Sequence, residues 1–355
     1  MILNVHKNSG RYKTLLGISG YGVYIPLYRI KLKEIATAWK EETPPSGEKS
    51  VAYFDENVLT LAYNACRNAI KHADIEPSDI NALYLGTVSS PYTEASLAAP
   101  LANTLGLPEN AEAVDFGAST SAGTAALQAG LDAVKSERLE NILIVGSDIL
   151  VGAPGTSFEY TAGSGAAACI LSRNGVIAEY ENSFFHTTGF ADKWKNVESR
   201  YPLFGDTGFI RKYGYVEHVV KAAKGLFEKL GATAQSFNHV VLQQQESRLI
   251  SEASKSLGFT PEQLKAGMTL ENFGDTGSAS ILIGLSAILD QVEPKQRILV
   301  VSYGTGSSAA FSFKANEKMN DKREKLTPVK IFKENKEYID YFTHLRQNRI
   351  IPRTE

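Results

Sequence analysis

The chain repeats itself. The first half carries INALYLGT (80–87), LGLPENAEAVDFGAST (105–120), ILIVGSD (142–148) and GAAACILS (165–172). The second half carries FNHVVLQQ (237–244), LGFTPEQLKAGMTLENFGD (257–275), ILVVSYG (298–304) and SSAAFSF (307–313). Order, type and approximate spacing agree. One such pair arises easily by chance and four in register do not, so the chain reads as two similar halves. Strand-like and helix-like runs alternate in each half, which predicts mainly parallel sheets covered by helices on both faces. Two such halves stacked give an α/β body of five layers, α/β/α/β/α. The boundaries read from the repeat are 15–178, 179–315 and an extension at 316–355.

The helices have sequence signatures. DENVLTLAYNACRNAIKHA has apolar residues at helical spacing, with Asp55 as the expected N-cap. YVEHVVKAAKGLFEKLG is expected to stop at Gly231 and ESRLISEASKSLGF at Gly258. SAGTAALQAGLDAVKS and SASILIGLSAILDQ occupy matching places and are nearly all apolar, which predicts burial on every side. Paired at the centre, they would aim free backbone N–H groups and a partial positive charge at a shared pocket.

Composition narrows the function classes. Lys and Arg number 37 against 39 Asp and Glu, a formal charge of −2 that argues against a whole-chain nucleic-acid binder or membrane-surface binder. Cys66 and Cys169, both in apolar surroundings, exclude a disulfide framework and a four-cysteine zinc site. No apolar run reaches the roughly 18 residues a membrane span needs, and the polar first residues do not read as a secretory leader. A soluble, cytoplasmic protein is expected.

Several landmarks in order now carry a resemblance. They are GISGYGVYIPLYRIK (17–31), YLGTVSSPY (84–92), DFGASTSAGTAALQAG (115–130), EYTAGSGAAA (159–168), NFGDTGSAS (272–280) and ILVVSYGTGS (298–307). Across roughly 15–345 the chain resembles the thiolase superfamily, in particular its branch of ketoacyl-ACP synthase III and archaeal-type 3-hydroxy-3-methylglutaryl-CoA (HMG-CoA) synthases. The resemblance implies the thiolase fold. It also implies a Cys nucleophile at the start of the first buried helix, a His after the first strand of the second half, and an Asn in the turn before the second buried helix. HMG-CoA synthases add a Glu general base. No cofactor is implied, and a CoA thioester would be a substrate.

Carried over, the nucleophile position falls on Thr120, flanked by Ser119 and Ser121. The His position falls on Gln243 in Gln243-Gln244-Gln245-Glu246, and the Glu position on Val88. Asn272 is the one family group that survives this alignment. A Thr hydroxyl is a poor nucleophile without an adjacent base, and Gln243 cannot accept a proton near neutral pH. General-base help is worth about 10²–10⁴-fold. The three hydroxyls at 119–121 read as helix caps. His72, His186, His218 and His239 offer no replacement base, and Glu94 lies just past the vacated Glu position.

These losses resemble one sub-branch, the Cys-less synthase-like subunits of 2,4-diacetylphloroglucinol acetyltransferase complexes. There a thiolase-like protein holds the active Cys, and a small OB-fold and zinc-ribbon protein joins the two. The implied function is a catalytically inactive subunit, a homodimer within such an assembly. The alternatives are an atypical acyltransferase using hydroxyl and amide groups, and, more remotely, an HMG-CoA synthase. The last forty residues read as a charged linker followed by an aromatic-containing helix, EYIDYFTHLRQ, packed on the body or used for docking.

Overall fold

The computed structural model describes residues 15–351. In chain order its strands are β1 (Gly17–Tyr24), β2 (Tyr28–Lys31), β3 (Glu48–Val51), β4 (Ala82–Gly86), β5 (Glu112–Phe116), β6 (Ile142–Ile149) and β7 (Ser164–Ser172). There follow β8 (Ala178–Thr187), β9 (Lys193–Trp194), β10 (Leu203–Phe204), β11 (His239–Leu242), β12 (Arg297–Gly304), β13 (Ser307–Ala315) and β14 (Glu337–Tyr338). The first half contributes β1-β7-β6-β4-β5 and the second β11-β12-β13-β8. The two half-sheets join where Gly17 and Ile18 of β1 pair with Glu179 and Ala178 of β8, so the main sheet runs continuously over nine strands.

The pairing is mixed, which corrects the expectation of mainly parallel sheets. β4 pairs in parallel with β5 and β6, and β11 with β12, while β7, β13, β8 and β1 run antiparallel to their neighbours. The reason lies in the connections. Thr305-Gly306 closes a two-residue hairpin between β12 and β13, with φ of 21° and 72°. A two-residue loop can only return the chain antiparallel.

The helix Ser280–Leu289 is buried at all ten positions. Its counterpart Ala122–Lys135 is not, because Ala125, Asp132 and Lys135 are exposed. Gln128 and Asp132, one turn apart, bond each other along an outward stripe that the Ala- and Leu-rich pattern obscured. The cap of Val58–Ala73 is Asn57 rather than Asp55: its Oδ1 accepts from Leu59 and Thr60, and Thr60 reciprocates in a capping box. The helices ending at Gly231 and Gly258 stop there with left-handed caps.

The extension is no linker. Met319 and Val329 are buried in the main core, and β14 adds a strand to the small sheet of β2 and β3. The buried Arg29 guanidinium donates to the Phe332 carbonyl, Tyr338 and Lys336 both bond Glu48, and Tyr341 bonds Glu159. The helix Tyr341–Gln347 docks through these polar contacts and the buried His344. Among the described residues no helix is long and apolar enough to cross a membrane.

Candidate active site at the junction of the two halves

Thr120 lies just ahead of the helix Ala122–Lys135, after a turn in which Ala118 takes φ of 70°. Its side chain is buried, and its hydroxyl donates to the Tyr303 carbonyl at 3.0 Å. Thr120 is therefore not a helix cap. The N-cap is Ser121, whose own hydroxyl caps nothing, and Ser119 Oγ takes the Ser121 N–H at 3.3 Å. The capping expectation placed the hydroxyl on its own helix, whereas β12 supplies a nearer acceptor. Gly304 closes over the same turn: a Cβ there would come within 2.1 Å of Ser119 Oγ and 2.9 Å of Thr120 Oγ1.

Gln243 follows β11 and is fully buried. Its Nε2 donates to the Gly277 carbonyl at 3.1 Å, and Oε1 has no partner among the described residues. Its backbone carbonyl accepts from Tyr215 Oη at 2.6 Å, and the Tyr215 ring meets Tyr303 edge-on at 5.4 Å. Gln244 is a structural tie that the sequence reading passed over. Its Oε1 accepts the Thr269 and Leu270 N–H groups, and its Nε2 donates to Gly267.

Val88 is tied in by Asp148. One carboxylate oxygen of Asp148 accepts from Thr87 Oγ1 and the Val88 N–H, each at 2.8 Å, and the other accepts the Ser278 N–H at 2.6 Å. Burial pushes this carboxyl up, and the surrounding donors oppose the shift. Ser278 in turn lies against Gly123 of the first buried helix, where a Cβ would come within 2.3 Å of the Ser278 carbonyl. Val88, Thr120 and Gln243 are thus drawn together around the 277–278 turn and the Tyr303 peptide.

Asn272 is not with them. It is half-exposed and lines a surface hollow with Pro261, Glu262 and Lys265. The short helix Leu270–Phe273 turns it outward, and Gly274, at φ 76°, then directs the chain inward. The residue that enters the centre is Asp275, buried, with Oδ1 accepting the Gly277 N–H at 2.9 Å. Burial is the main cause that raises its carboxyl, with the Lys193 charge opposing.

Among the described residues no imidazole or thiol is bonded to Thr120, Gln243 or Asp275. His218 is buried with both nitrogens bonded, to Thr188 Oγ1 and the Gly214 carbonyl, each at 2.8 Å. His186 lies beside it at 5.2 Å between rings. His72 binds the Tyr21 N–H in the first half, and His239 binds Gln296. Glu94 is exposed. Cys66 and Cys169 are buried, and desolvation pushes the Cys169 thiol up to about 12 and Cys66 further. Neither forms a thiolate at neutral pH.

Comparisons with known proteins give the family and the fold. Residues 41–188 match the thiolase N-terminal domain, and 227–313 match the C-terminal domain of 3-oxoacyl-[acyl-carrier-protein] synthase III. The hydroxymethylglutaryl-CoA synthase of Methanocaldococcus jannaschii is 39% identical over 334 residues, covering 92% of this chain and 96% of the relative. The chain belongs to the HMG-CoA synthase family of the thiolase superfamily. The family's Methanopyrus kandleri member is 37% identical over 94% of this chain and 97% of its own. Among solved structures, MvaS in complex with 3-hydroxy-3-methylglutaryl coenzyme A superposes with a TM-score of 0.85 at 20% identity, over 96% of this chain and 93% of that one. The 3-oxoacyl-[acyl-carrier-protein] synthase III of Aquifex aeolicus VF5 gives 0.74 at 19% identity, over 84% and 99%. These two likenesses concern the fold alone.

Proposed function

We propose that this HMG-CoA synthase homologue is the catalytically inactive, synthase-like subunit of a C-acyltransferase assembly. Its partners in this reading are a thiolase-like protein that carries the reactive Cys and a small OB-fold and zinc-ribbon protein. The observation that carries the reading is the Thr120 hydroxyl. It stands at the nucleophile position, is buried, and spends its proton on a backbone carbonyl, which is no base at neutral pH. The nearby amide of Gln243 cannot take that proton either. Acylation of Thr120 would need a base to take its proton, and among the described residues none is hydrogen-bonded to its hydroxyl. The outer edge of β5, half-exposed and unpaired among the described residues, suits the homodimer within the assembly.

The test is intact-mass analysis of the isolated chain after exposure to acetyl-CoA or acetoacetyl-CoA. No covalent adduct is expected. A stoichiometric acyl gain mapping to Ser119, Thr120 or Ser121 would show an atypical acyltransferase instead. The family membership itself favours that second reading, and the same spectrum decides between the two.

A further inference from the structure

Residues 194–213 carry Trp194, Val197, Leu203, Phe204, Phe209 and Tyr213, each at least 40% exposed. Soluble chains seldom gather large apolar groups on one surface segment unless something covers them. The segment is held in place from beneath. β9 and β10 pair Trp194 with Leu203 and Lys193 with Phe204, and Asp192 takes the Gly205 N–H through its carbonyl and the Tyr303 hydroxyl through its carboxylate. Thr305 Oγ1 donates to the Lys193 carbonyl at 3.0 Å, and Arg200 donates to the Asn348 carbonyl at 2.8 Å. The Phe204 ring packs on Phe158 at 5.4 Å. Anchored this way, the backbone of the segment is held before anything binds, which lowers the cost of association.

The rim is basic. Lys195, Arg200, Arg211 and Lys212 are exposed around the apolar groups, with Arg248 beside them, against Glu198, Asp206 and Glu252, which pairs with Arg211 and Arg248. We propose that this face docks a second protein of different sequence, acidic at its rim, with an apolar recess for Trp194 and Phe209. The proposal rests on the subunit reading above and names the surface that reading requires. A second copy of this chain fits poorly, because a twofold contact sets the patch against its own image and brings like charges together. Aromatic side chains and Arg are the types that anchor protein interfaces. The face is tied to the candidate site through Asp192 and Tyr303, whose backbone carbonyl accepts from Thr120.

The experiment compares carbene footprints of the full chain alone and in the assembly co-expressed with the thiolase-like and OB-fold proteins. Protection of 194–213 in the assembly is expected. Trp194→Asp with Phe209→Asp should weaken the assembly by about tenfold or more, with an unchanged melting temperature because both side chains are exposed. Lys195→Glu with Lys212→Glu should slow association and flatten its salt dependence. If the assembly forms and 194–213 stays fully labelled, the docking proposal fails and the subunit reading stands. If no assembly forms, both fail. Equal protection of the isolated chain by self-association, or by phosphatidylglycerol vesicles, overturns the proposal by naming a different occupant.

Discussion

A hydroxyl at the head of a buried helix has the helix dipole in its favour, yet it stays a poor nucleophile when nothing can take its proton. Thr120 bonds the Tyr303 carbonyl and is shut in by Gly304, and among the described residues no base is bonded to its hydroxyl. Thr120→Ala should therefore act on stability more than on function. It leaves the Tyr303 carbonyl without this donor, a loss of about 1–2 kcal/mol. We expect a melting temperature lower by a few degrees and assembly turnover within a few-fold of wild type, with Thr120→Ser restoring the stability. An activity loss beyond about 10²-fold with the assembly intact would instead mark a transition-state role. That 88, 120 and 243 would meet at one centre could be read from the flanking runs that fix their register: YLGT before Val88, GTAA after Thr120, and the apolar HVVL before Gln243. Asn272 misled because the letter Asn matched while the backbone did not. A helical turn and one positive-φ glycine decide which of two acidic or amide residues three positions apart faces inward, and neither shows in a residue count.

At the scale of elements, helices with strong apolar periodicity and glycine stops were readable from the chain, because one local pattern sets both face and end. The Thr305-Gly306 hairpin, the Asn57 cap and the docking of the extension were not. The first two turn on φ/ψ choices and on which of several polar side chains wins an N–H, and the last on partners far away in sequence. One long-range tie of this kind joins the helix Val58–Ala73 to β1. β1 shifts register between Ile18 and Gly20, and His72 Nδ1 accepts the Tyr21 N–H at 3.1 Å just past the irregularity. Burial, helped by the Lys322 charge, lowers the His72 ring to about 4. The unfolded ring protonates near 6.5, so between that pH and about 4 the unfolded state binds the extra proton and stability falls as the pH falls. The loss attributable to this ring reaches about 3 kcal/mol at the acid end of the window. Urea denaturation at pH 7 and pH 4.5 should show the decline. His72→Gln, which keeps an acceptor for Tyr21 but does not titrate, should reduce it; an unchanged pH slope in that variant would assign the decline to other groups.

The whole molecule joins two half-sheets at one edge, and its centre belongs to neither half alone. Thr120 and Val88 come from the first, while Gln243, Asp275, Ser278 and Tyr303 come from the second. The repeat made this arrangement legible as a plan. The seam itself was not, since a two-residue strand contact leaves no pattern in sequence. The centre is also where repair can be tried. Suppose Val88→Glu, Thr120→Cys and Gln243→His are introduced together. Asp275 still fills the inward turn, with a carboxyl raised by burial where an amide was expected, and Asp148 still fixes the 277–278 turn and the Val88 backbone to each other. Productive geometry has to hold within about half an ångström and needs support from the surrounding groups. A new carboxylate beside two buried acidic groups raises the cost further. Little HMG-CoA synthase turnover is therefore expected, and adding Asp275→Asn should raise it if the buried carboxyl is the obstacle. The thiol introduced at position 120 is a different matter, because the helix N–H groups and dipole come from the backbone and persist. It should react with iodoacetamide faster than Cys66 or Cys169, whose thiols burial holds in the neutral form. Alkylation rates by mass spectrometry and a thioester turnover assay read the two halves of this prediction separately. Rapid turnover in the triple variant would mean that these three side chains alone separate this centre from an active HMG-CoA synthase.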